Sequence, residues 1–252
     1  MHEAVLAYRN ADGGFGHAME PDVRVSTSQP IFVHFALSSL HLAGIRIGGE
    51  LQSTCEWLGS IATSDGAVPY LLPDAFEHAR ADHWNGDWCS KPSLIATTAV
   101  AGGMHAQGVE HEWLDRATAW CLNEIRQNPP LTPHTAHNIL DFLTFLPKPD
   151  ADLWNTTTSR LLAEDLVLLD APVEGYGITP IQYAPAPDSK LRALFDDDVI
   201  NAHLDDLAAK QMEDGGWPIS WNPPKGIAAD EWRGRWTLVA YDTLKAYGRA
   251  PA

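Results

Sequence analysis

The sequence predicts an all-α protein built from repeated helical hairpins. Apolar residues recur with helical spacing along most of the chain, no segment alternates convincingly as a strand would, and an acidic–glycine step recurs several times. Because a single hairpin cannot bury its apolar face alone, such units have to stack on one another. We therefore expect one domain over residues 1–252, an α/α toroid whose hairpins surround a central cavity as a closed or an incomplete ring.

The clearest helix is predicted over residues 31–43, which are apolar on nearly all sides, as in a helix buried within a bundle. The polar residues and Pro30 before it supply a start signal, and Gly44 supplies a stop. Further helices are predicted over residues 49–62, 92–107, 110–127, 134–145, 151–169, 198–212 and 230–247. Proline-containing turns separate several of them. Short strands over 67–72 or 179–183 are the alternatives to helix and loop.

Internal repetition is the main signal for the architecture. The four copies of the acidic–glycine step read DGGFG at 12–16, DGAV at 65–68, EGYG at 174–177 and DGGW at 214–217. Each is followed by a loop that contains proline and then by an apolar helix. The spacing of the copies suits one helical hairpin with its loops per repeat.

The segment QMEDGGW at 211–217 resembles the QW motif, Q-x-x-x-G-x-W, of squalene–hopene and oxidosqualene cyclases. The DGGFG copy is similar to degenerate forms in that superfamily and in prenyltransferase β-subunits, with Tyr8 where the Gln would be. The resemblance implies the toroid, and an enzyme that acts on an isoprenoid or other hydrophobic substrate by acid/base chemistry in a central cavity. It also implies structural roles for Gln211, Gly215, Gly216 and Trp217, since the motif braces helix ends in that superfamily.

The catalytic signatures of the resembling enzymes are incomplete here. No D-x-D-D occurs, and DDDVI at 196–200 matches only the first half of D-D-x-x-D, so we interpret these aspartates as a helix N-terminus. Asp87 and Cys89 are similar to the Asp-x-Cys zinc pair of protein prenyltransferases, but the distant His is not identifiable. We predict neither a metal nor a cofactor, and zinc at Asp87 and Cys89 stays open.

Candidate site residues lie in polar and aromatic loops that precede apolar helices. In a toroid such loops collect at one mouth of the cavity. Glu20 and Asp22 flank Pro21, so an extended loop points both carboxylates to one side, where they can split their pKa values and act as acid and base. The alternative is a loop salt bridge with Arg24 or Arg233. The candidate catalytic residues are Glu20, Asp22, Asp87 and Glu231. The candidate substrate-binding residues are His17, His83, Trp84, Trp88, Trp217, Trp221, Trp232 and Arg233.

Three functions remain open at this point. An aromatic cavity with one acid suits isoprenoid chemistry, because ring faces stabilise cationic intermediates. A carbohydrate-active α/α barrel, either a glycoside hydrolase or a lyase, uses paired carboxylates and stacks sugars on tryptophan. A non-catalytic toroid that binds a ligand is the third. An open groove with exposed tryptophan favours sugars, whereas a filled centre favours binding alone.

The expected partner is a small-molecule substrate: an isoprenoid, as the resemblance implies, or a sugar, as the acidic and tryptophan-rich loops suggest. The formal net charge of −16 repels nucleic acid and anionic membrane surfaces. The three cysteines form no disulfide framework, which favours a reducing compartment. Neither a signal peptide nor an apolar stretch of about 18 residues is evident, so we expect a cytoplasmic protein without a membrane span. The oligomeric state is open.

Overall fold

A computed structural model describes residues 2–175, 177–219, 221–224 and 226–250. This part of the chain contains ten α-helices and no β-strand, which confirms the all-α class. The helices are α1 His2–Leu6, α2 Pro30–Leu42, α3 Gln52–Ile61, α4 Leu94–Ala106, α5 Glu112–Arg126, α6 Pro133–Phe145, α7 Ala151–Ala163, α8 Pro180–Tyr183, α9 Asp197–Ala209 and α10 Ala228–Ala246. Short 3-10 turns cover Gly48–Leu51, Pro73–Glu77, Asp82–Asn85, Asp87–Cys89 and Arg192–Leu194. The arrangement of these helices as a toroid stays a prediction.

The chain divides into two compact units. Unit 1 comprises Met1–Leu131 and Asn138–Thr158, and unit 2 comprises Thr132–His137 and Ser159–Ala252. The single domain expected over 1–252 stays a prediction. None of the helices in the described residues has the length and hydropathy that crossing a bilayer requires.

The core of unit 1 depends on small residues in α4. A Cβ on Gly102 would lie 2.9 Å from the Cα of Phe142, and a Cβ on Gly103 would lie 2.8 Å from side-chain atoms of Leu37 in α2. Because glycine has no side chain, α4 approaches both neighbours closely. Phe142 is fully buried and Leu37 nearly so, so the glycines within this helix serve close packing.

The recurring acidic–glycine step forms the same turn in at least three places. In the first copy, Asn10 N–H donates to the Gly14 carbonyl (2.8 Å) and Gly13 N–H donates to the Asn10 carbonyl (3.0 Å). In the second copy, Thr63 N–H donates to the Ala67 carbonyl and Gly66 N–H donates to the Thr63 carbonyl, both at 2.9 Å. In the copy at 214–217, Met212 N–H donates to the Gly216 carbonyl (2.8 Å) and Gly215 N–H donates to the Met212 carbonyl (2.9 Å). The glycine after the acidic residue has a positive φ in each copy: 92° at Gly13, 98° at Gly66 and 83° at Gly215. These three copies therefore repeat in backbone structure as well as in sequence. The copy at 174–177 falls partly outside the described residues.

Several helix boundaries differ from those predicted. Segment 151–169 is helical only as far as Ala163, because Asp165 adopts a left-handed φ of 52° and the Leu166 N–H returns to the Leu161 carbonyl at 2.9 Å. This is the Schellman ending, with Asp165 in the position that glycine usually takes. Segment 49–62 starts as a 3-10 turn, segment 67–72 is irregular, and segment 179–183 contains helix α8.

Candidate active site

Glu20 and Asp22 lie buried in the loop that comes after the first repeated turn. Each residue is only 2% exposed, which is rare for carboxylates in a loop. The loop folds back on itself through His17 N–H to the Ser26 carbonyl (3.1 Å) and Ala18 N–H to the Val25 carbonyl (2.9 Å). His17 and Ala18 have φ values of 58° and 55°, in the left-handed region. This tight reversal directs both acids into the interior of unit 1, while the predicted ligand residue His17 remains exposed.

Burial favours the protonated form of Glu20. Loss of hydration raises its pKa well above the ordinary 4.5, and the nearby charge of Asp22 raises it further. The backbone N–H groups of Asp22 and Val23 and the nearby indole of Trp84 oppose this increase only in part. Glu20 Oε2 and Trp84 Nε1 each complete no hydrogen bond within the described structure. The carboxyl group therefore keeps its proton at a pH where an exposed glutamate has lost it.

Asp22 differs from Glu20 because it faces a histidine. Its Oδ2 lies 3.7 Å from Nε2 of His83, whose side chain is 53% exposed. The backbone carbonyl of Asp22 also accepts a hydrogen bond from Ala81 N–H at 2.8 Å. His83 thus lies between a buried carboxylate and solvent, at a separation from the carboxylate that exceeds a hydrogen bond.

An aromatic cluster composed of Tyr70, Trp84 and Trp88 packs beside the acids. Trp84 and Trp88 stack with ring centroids 5.3 Å apart and planes at 25°, and Tyr70 meets both edge-on at 5.5 and 6.0 Å. Trp84 is 7% exposed, whereas Trp88 is 47% exposed. Gly86 permits this arrangement, since any Cβ there would overlap the Trp88 ring. The cluster therefore presents one indole to solvent on a rigid aromatic base.

A surface pocket of about 330 Å³ is lined in part by residues that flank Trp88 in the chain. Its lining residues are Pro73, Phe76, Asn85, Gly86, Asp87 and Ser90. Asp87, a candidate catalytic residue, has a side chain that is 91% exposed and pairs with Lys91 at 3.4 Å. The Cys89 thiol is buried and donates to the Gly86 carbonyl at 2.8 Å. No group of three or more metal-binding side chains occurs among the described residues.

The remaining candidates belong to unit 2. Trp217 is 1% exposed, and its indole N–H donates to the Leu207 carbonyl in the last turn of α9 at 2.7 Å. Trp221 and Trp232 meet edge-on at 4.9 Å, and both are half-buried. Arg233 pairs with Asp214 at 2.5 Å, which lowers the pKa of that carboxyl group. Glu231 is half-buried in the first turn of α10.

Tyr70, Asn138 and Gln29 support the site although no sequence motif marks them as candidates. Asn138 Nδ2 donates to Tyr70 Oη and to the Ile95 carbonyl, both at 3.2 Å, and so fixes the base of the aromatic cluster. Gln29 is fully buried; its Oε1 accepts from Leu72 N–H at 2.6 Å and its Nε2 donates to Asp74 at 3.1 Å. Only Gln29 has a usable signal, its place immediately before the helix-starting Pro30.

Comparison with known proteins gives the fold alone. No family model matches the chain, and no curated protein matches it. A solved structure, described as the crystal structure of a protein from Actinoplanes, is similar with a TM-score of 0.54 at 16% sequence identity. The match covers 98% of this chain and 82% of that one.

Proposed function

We propose that unit 1 carries the active site of an enzyme that performs acid–base chemistry on a neutral carbohydrate. One observation carries the proposal: two adjacent buried carboxyl groups lie in different environments. Desolvation raises the pKa of Glu20, and Asp22 Oδ2 lies 3.7 Å from Nε2 of the half-exposed His83. Paired titratable groups whose surroundings separate their protonation are typical of active sites, and an aromatic cluster beside them supports that interpretation.

The outer face of the site favours a sugar. Trp88 offers a half-exposed indole on which the apolar face of a sugar ring can stack, and Asn85, Asp87 and Ser90 supply hydrogen-bonding groups in the adjoining pocket. The net charge of −16 disfavours an anionic polysaccharide. An unmodified isoprenoid prefers an enclosed apolar cavity, whereas this pocket has three polar side chains in its lining.

Glu20, Asp22 and His83 would have different roles in acid–base catalysis. His83 is the member that solvent reaches, so it exchanges protons with the ligand or with water. Asp22 lies 3.7 Å from the imidazole and would accept its N–H once the two approach to hydrogen-bond distance. Glu20 holds a proton available for donation, because its surroundings oppose ionisation.

Isoprenoid chemistry is the second candidate, favoured by the proximity of neutral Glu20 to Trp84. A protonated acid can donate to an alkene, and indole faces stabilise the carbocation that results. The resemblance of the repeated turns to QW motifs supports this alternative. It requires Trp84 and Tyr70, now 7% and 6% exposed, to line a cavity with the substrate inside.

The test is a screen of neutral oligosaccharides and of unphosphorylated isoprenoids against the wild-type chain, four site variants and one control variant. We expect turnover of a sugar that falls at least about a hundredfold in Asp22→Asn and in His83→Gln, as for loss of a general base. Trp88→Ala should raise KM and leave kcat nearly unchanged, with Trp88→Phe intermediate. Glu110→Gln, an exposed carboxylate outside the site, is the matched control. Turnover of an isoprenoid alone would favour the second candidate, and binding without turnover would reduce the site to a ligand-binding one.

A further inference from the structure

Residues 79–86, named the acid cover, lie over Glu20 and Asp22. Two backbone hydrogen bonds tie this segment to the acid loop: Arg24 N–H to the Ala79 carbonyl (2.9 Å) and Ala81 N–H to the Asp22 carbonyl (2.8 Å). Val23 and Arg80 form an antiparallel bridge at the same join. Within the acid cover, the His83 side chain lies beside Asp22 and the Trp84 side chain lies beside Glu20. This short strip of chain thus contributes to the burial of the two acids.

Both ends of the acid cover are anchored by bonds that involve residues outside it. At the first end, the Arg80 guanidinium donates to the carbonyls of Phe76 (2.7 Å) and His78 (3.0 Å), and its charge sits over the Phe76 ring. At the second end, the Cys89 carbonyl accepts from Tyr70 and Leu71 N–H at 3.0 and 2.9 Å. These bonds do not involve the acid loop, so they can survive if the cover moves away from it.

The join between the cover and the acids is incompletely bonded. Glu20 Oε2 and Trp84 Nε1 are both buried; the indole lies close enough to the carboxyl group to lower its pKa, yet neither atom completes a hydrogen bond of ordinary geometry in the described structure. A buried polar group without a partner destabilises the state that buries it. Opening would return both atoms to water, which offsets part of the packing lost by Trp84. Weakly bonded segments of this kind open locally before the whole fold does.

We propose that the acid cover is a lid that swings away from residues 20–24, admits the ligand to Glu20 and Asp22, and closes again to return His83 to Asp22. That the ligand is a carbohydrate rests on the proposed function; the opening itself does not. Trp88 lies beyond the moving strip, next to the anchored Cys89; it loses its stacking contact with Trp84 when the strip opens and is the first contact for the ligand. The lid thus explains how two acids that are 2% exposed meet a substrate.

Cys89 is a built-in reporter for the opening. Its thiol is buried beneath the strip and donates to the carbonyls of Trp84 (3.4 Å) and Gly86 (2.8 Å). Cys55 and Cys121 are equally buried, but they lie in helices α3 and α5. We expect iodoacetamide to alkylate Cys89 at least about tenfold faster than the other two under native conditions, after normalisation to rates in the unfolded chain. Equal rates at all three sites would mean that only global unfolding exposes them, and would overturn the lid.

A cross-link supplies the matched control. Antiparallel bridge partners lie within disulfide reach, so Val23→Cys with Arg80→Cys should lock the cover when oxidised and release it when reduced. The oxidised form should label Cys89 about tenfold more slowly than its reduced form and lose turnover, which reduction restores. Unchanged labelling of Cys89 in the locked form would exclude the lid. Should the double variant not fold, the wild-type labelling still decides; should no carbohydrate bind, the labelling result stands and the proposed function alone fails.

Discussion

The turn at 12–14 in unit 1 and the turn at 214–216 in unit 2 have the same construction in different surroundings. In both, a glycine with positive φ comes after an aspartate, and that aspartate accepts the N–H of the next glycine, at 2.9 Å for Asp12 and 3.1 Å for Asp214. An aromatic ring comes next and is buried in each, Phe15 at 0% and Trp217 at 1% exposed. The turn is therefore a structural device that recurs independently of any site.

The segments beyond the two turns differ. Eight and ten residues after Asp12 stand the buried acids Glu20 and Asp22, whereas the corresponding residues after Asp214 are Asn222 and Pro224. The first aspartate is held by Ser28 (2.7 Å), and the second by the partly exposed Arg233. The repeat thus supplies scaffolding to both units, while the acid pair is an addition to one copy. We therefore place the candidate chemistry in unit 1.

The largest difference between the two turns is expected when the matched glycines are substituted. Gly13→Ala and Gly215→Ala impose the same left-handed strain, since φ is 92° and 83°. At Gly13 the new Cβ would also overlap the backbone carbonyl of Ser53, whereas at Gly215 its nearest neighbour is Gln211 Nε2 at 3.9 Å. We expect a loss of about 3–5 kcal/mol for Gly13→Ala and about 1–2 kcal/mol for Gly215→Ala in urea unfolding. Equal losses would mean that strain in the turn, not its surroundings, sets the cost.

The second prediction concerns the indoles that brace the repeats. Trp217 donates to the Leu207 carbonyl in unit 2, and Trp113 donates to the carbonyl of Gly66 in the second turn of unit 1 at 3.1 Å. Trp217→Phe and Trp113→Phe each remove the donor and leave a small void. We expect each to lower the free energy of unfolding by about 2 kcal/mol. A loss at only one site would show that the two indoles have different roles.

The turns are predictable because local chemistry determines them. An acidic residue before glycine favours this reversal whatever packs around it, and helix α2 is indicated by its apolar run and its flanking Pro30 and Gly44. The helix predicted over 151–169 is too long because Asp165 takes a left-handed conformation that is usual for glycine.

The candidate site is only partly predictable. Glu20 and Asp22 are recognisable as a pair in the sequence, but their burial depends on the strip at 79–86, some sixty residues away. Tyr70 and Asn138 meet only in the folded structure, so no local pattern indicates them. The sequence suggests two roles for Trp217, ligand binding and structural support of a helix end, and its indole proves to be in the core. A sequence pattern does not distinguish a ring that covers a helix end from a ring that covers a ligand.

The third prediction concerns the pH dependence that the buried acid gives to unit 1. Because burial raises the pKa of Glu20 above 4.5, the folded protein binds this proton more tightly than the unfolded chain does. The stability contributed by the neutral form is complete below the unfolded pKa and is lost as pH rises through the folded one. Glu20→Gln removes the titration, so we expect it to gain on the order of 1 kcal/mol over wild type at neutral pH and nothing in acid. Glu110→Gln, an exposed control, should show no such pH-dependent gain, and a loss in Glu20→Gln at neutral pH would mean that the carboxylate is ionised and paired.

The last prediction compares the aspartates of the two turns, and the smallest effect is expected at Asp214. Asp12→Ala removes the acceptor for both Gly14 N–H and Ser28 Oγ, which are part-buried, and should lower the free energy of unfolding by about 1–2 kcal/mol. Asp214→Ala exposes Gly216 N–H to water and breaks a solvent-screened pair with Arg233, so its cost should be smaller and should shrink further in high salt.

Measurements at low pH provide the control for Asp214→Ala. Arg233 lowers the pKa of Asp214 below its ordinary 3.8, so the pair contributes stability above that pH and loses it as pH falls through the lowered value. Wild type and Asp214→Ala should therefore converge in strong acid in a urea titration repeated across pH, whereas the salt dependence should be confined to higher pH. If Asp214→Ala instead costs as much as Asp12→Ala at every salt concentration, the turn would be equally essential in both units, and only the acids that lie beyond it would distinguish them.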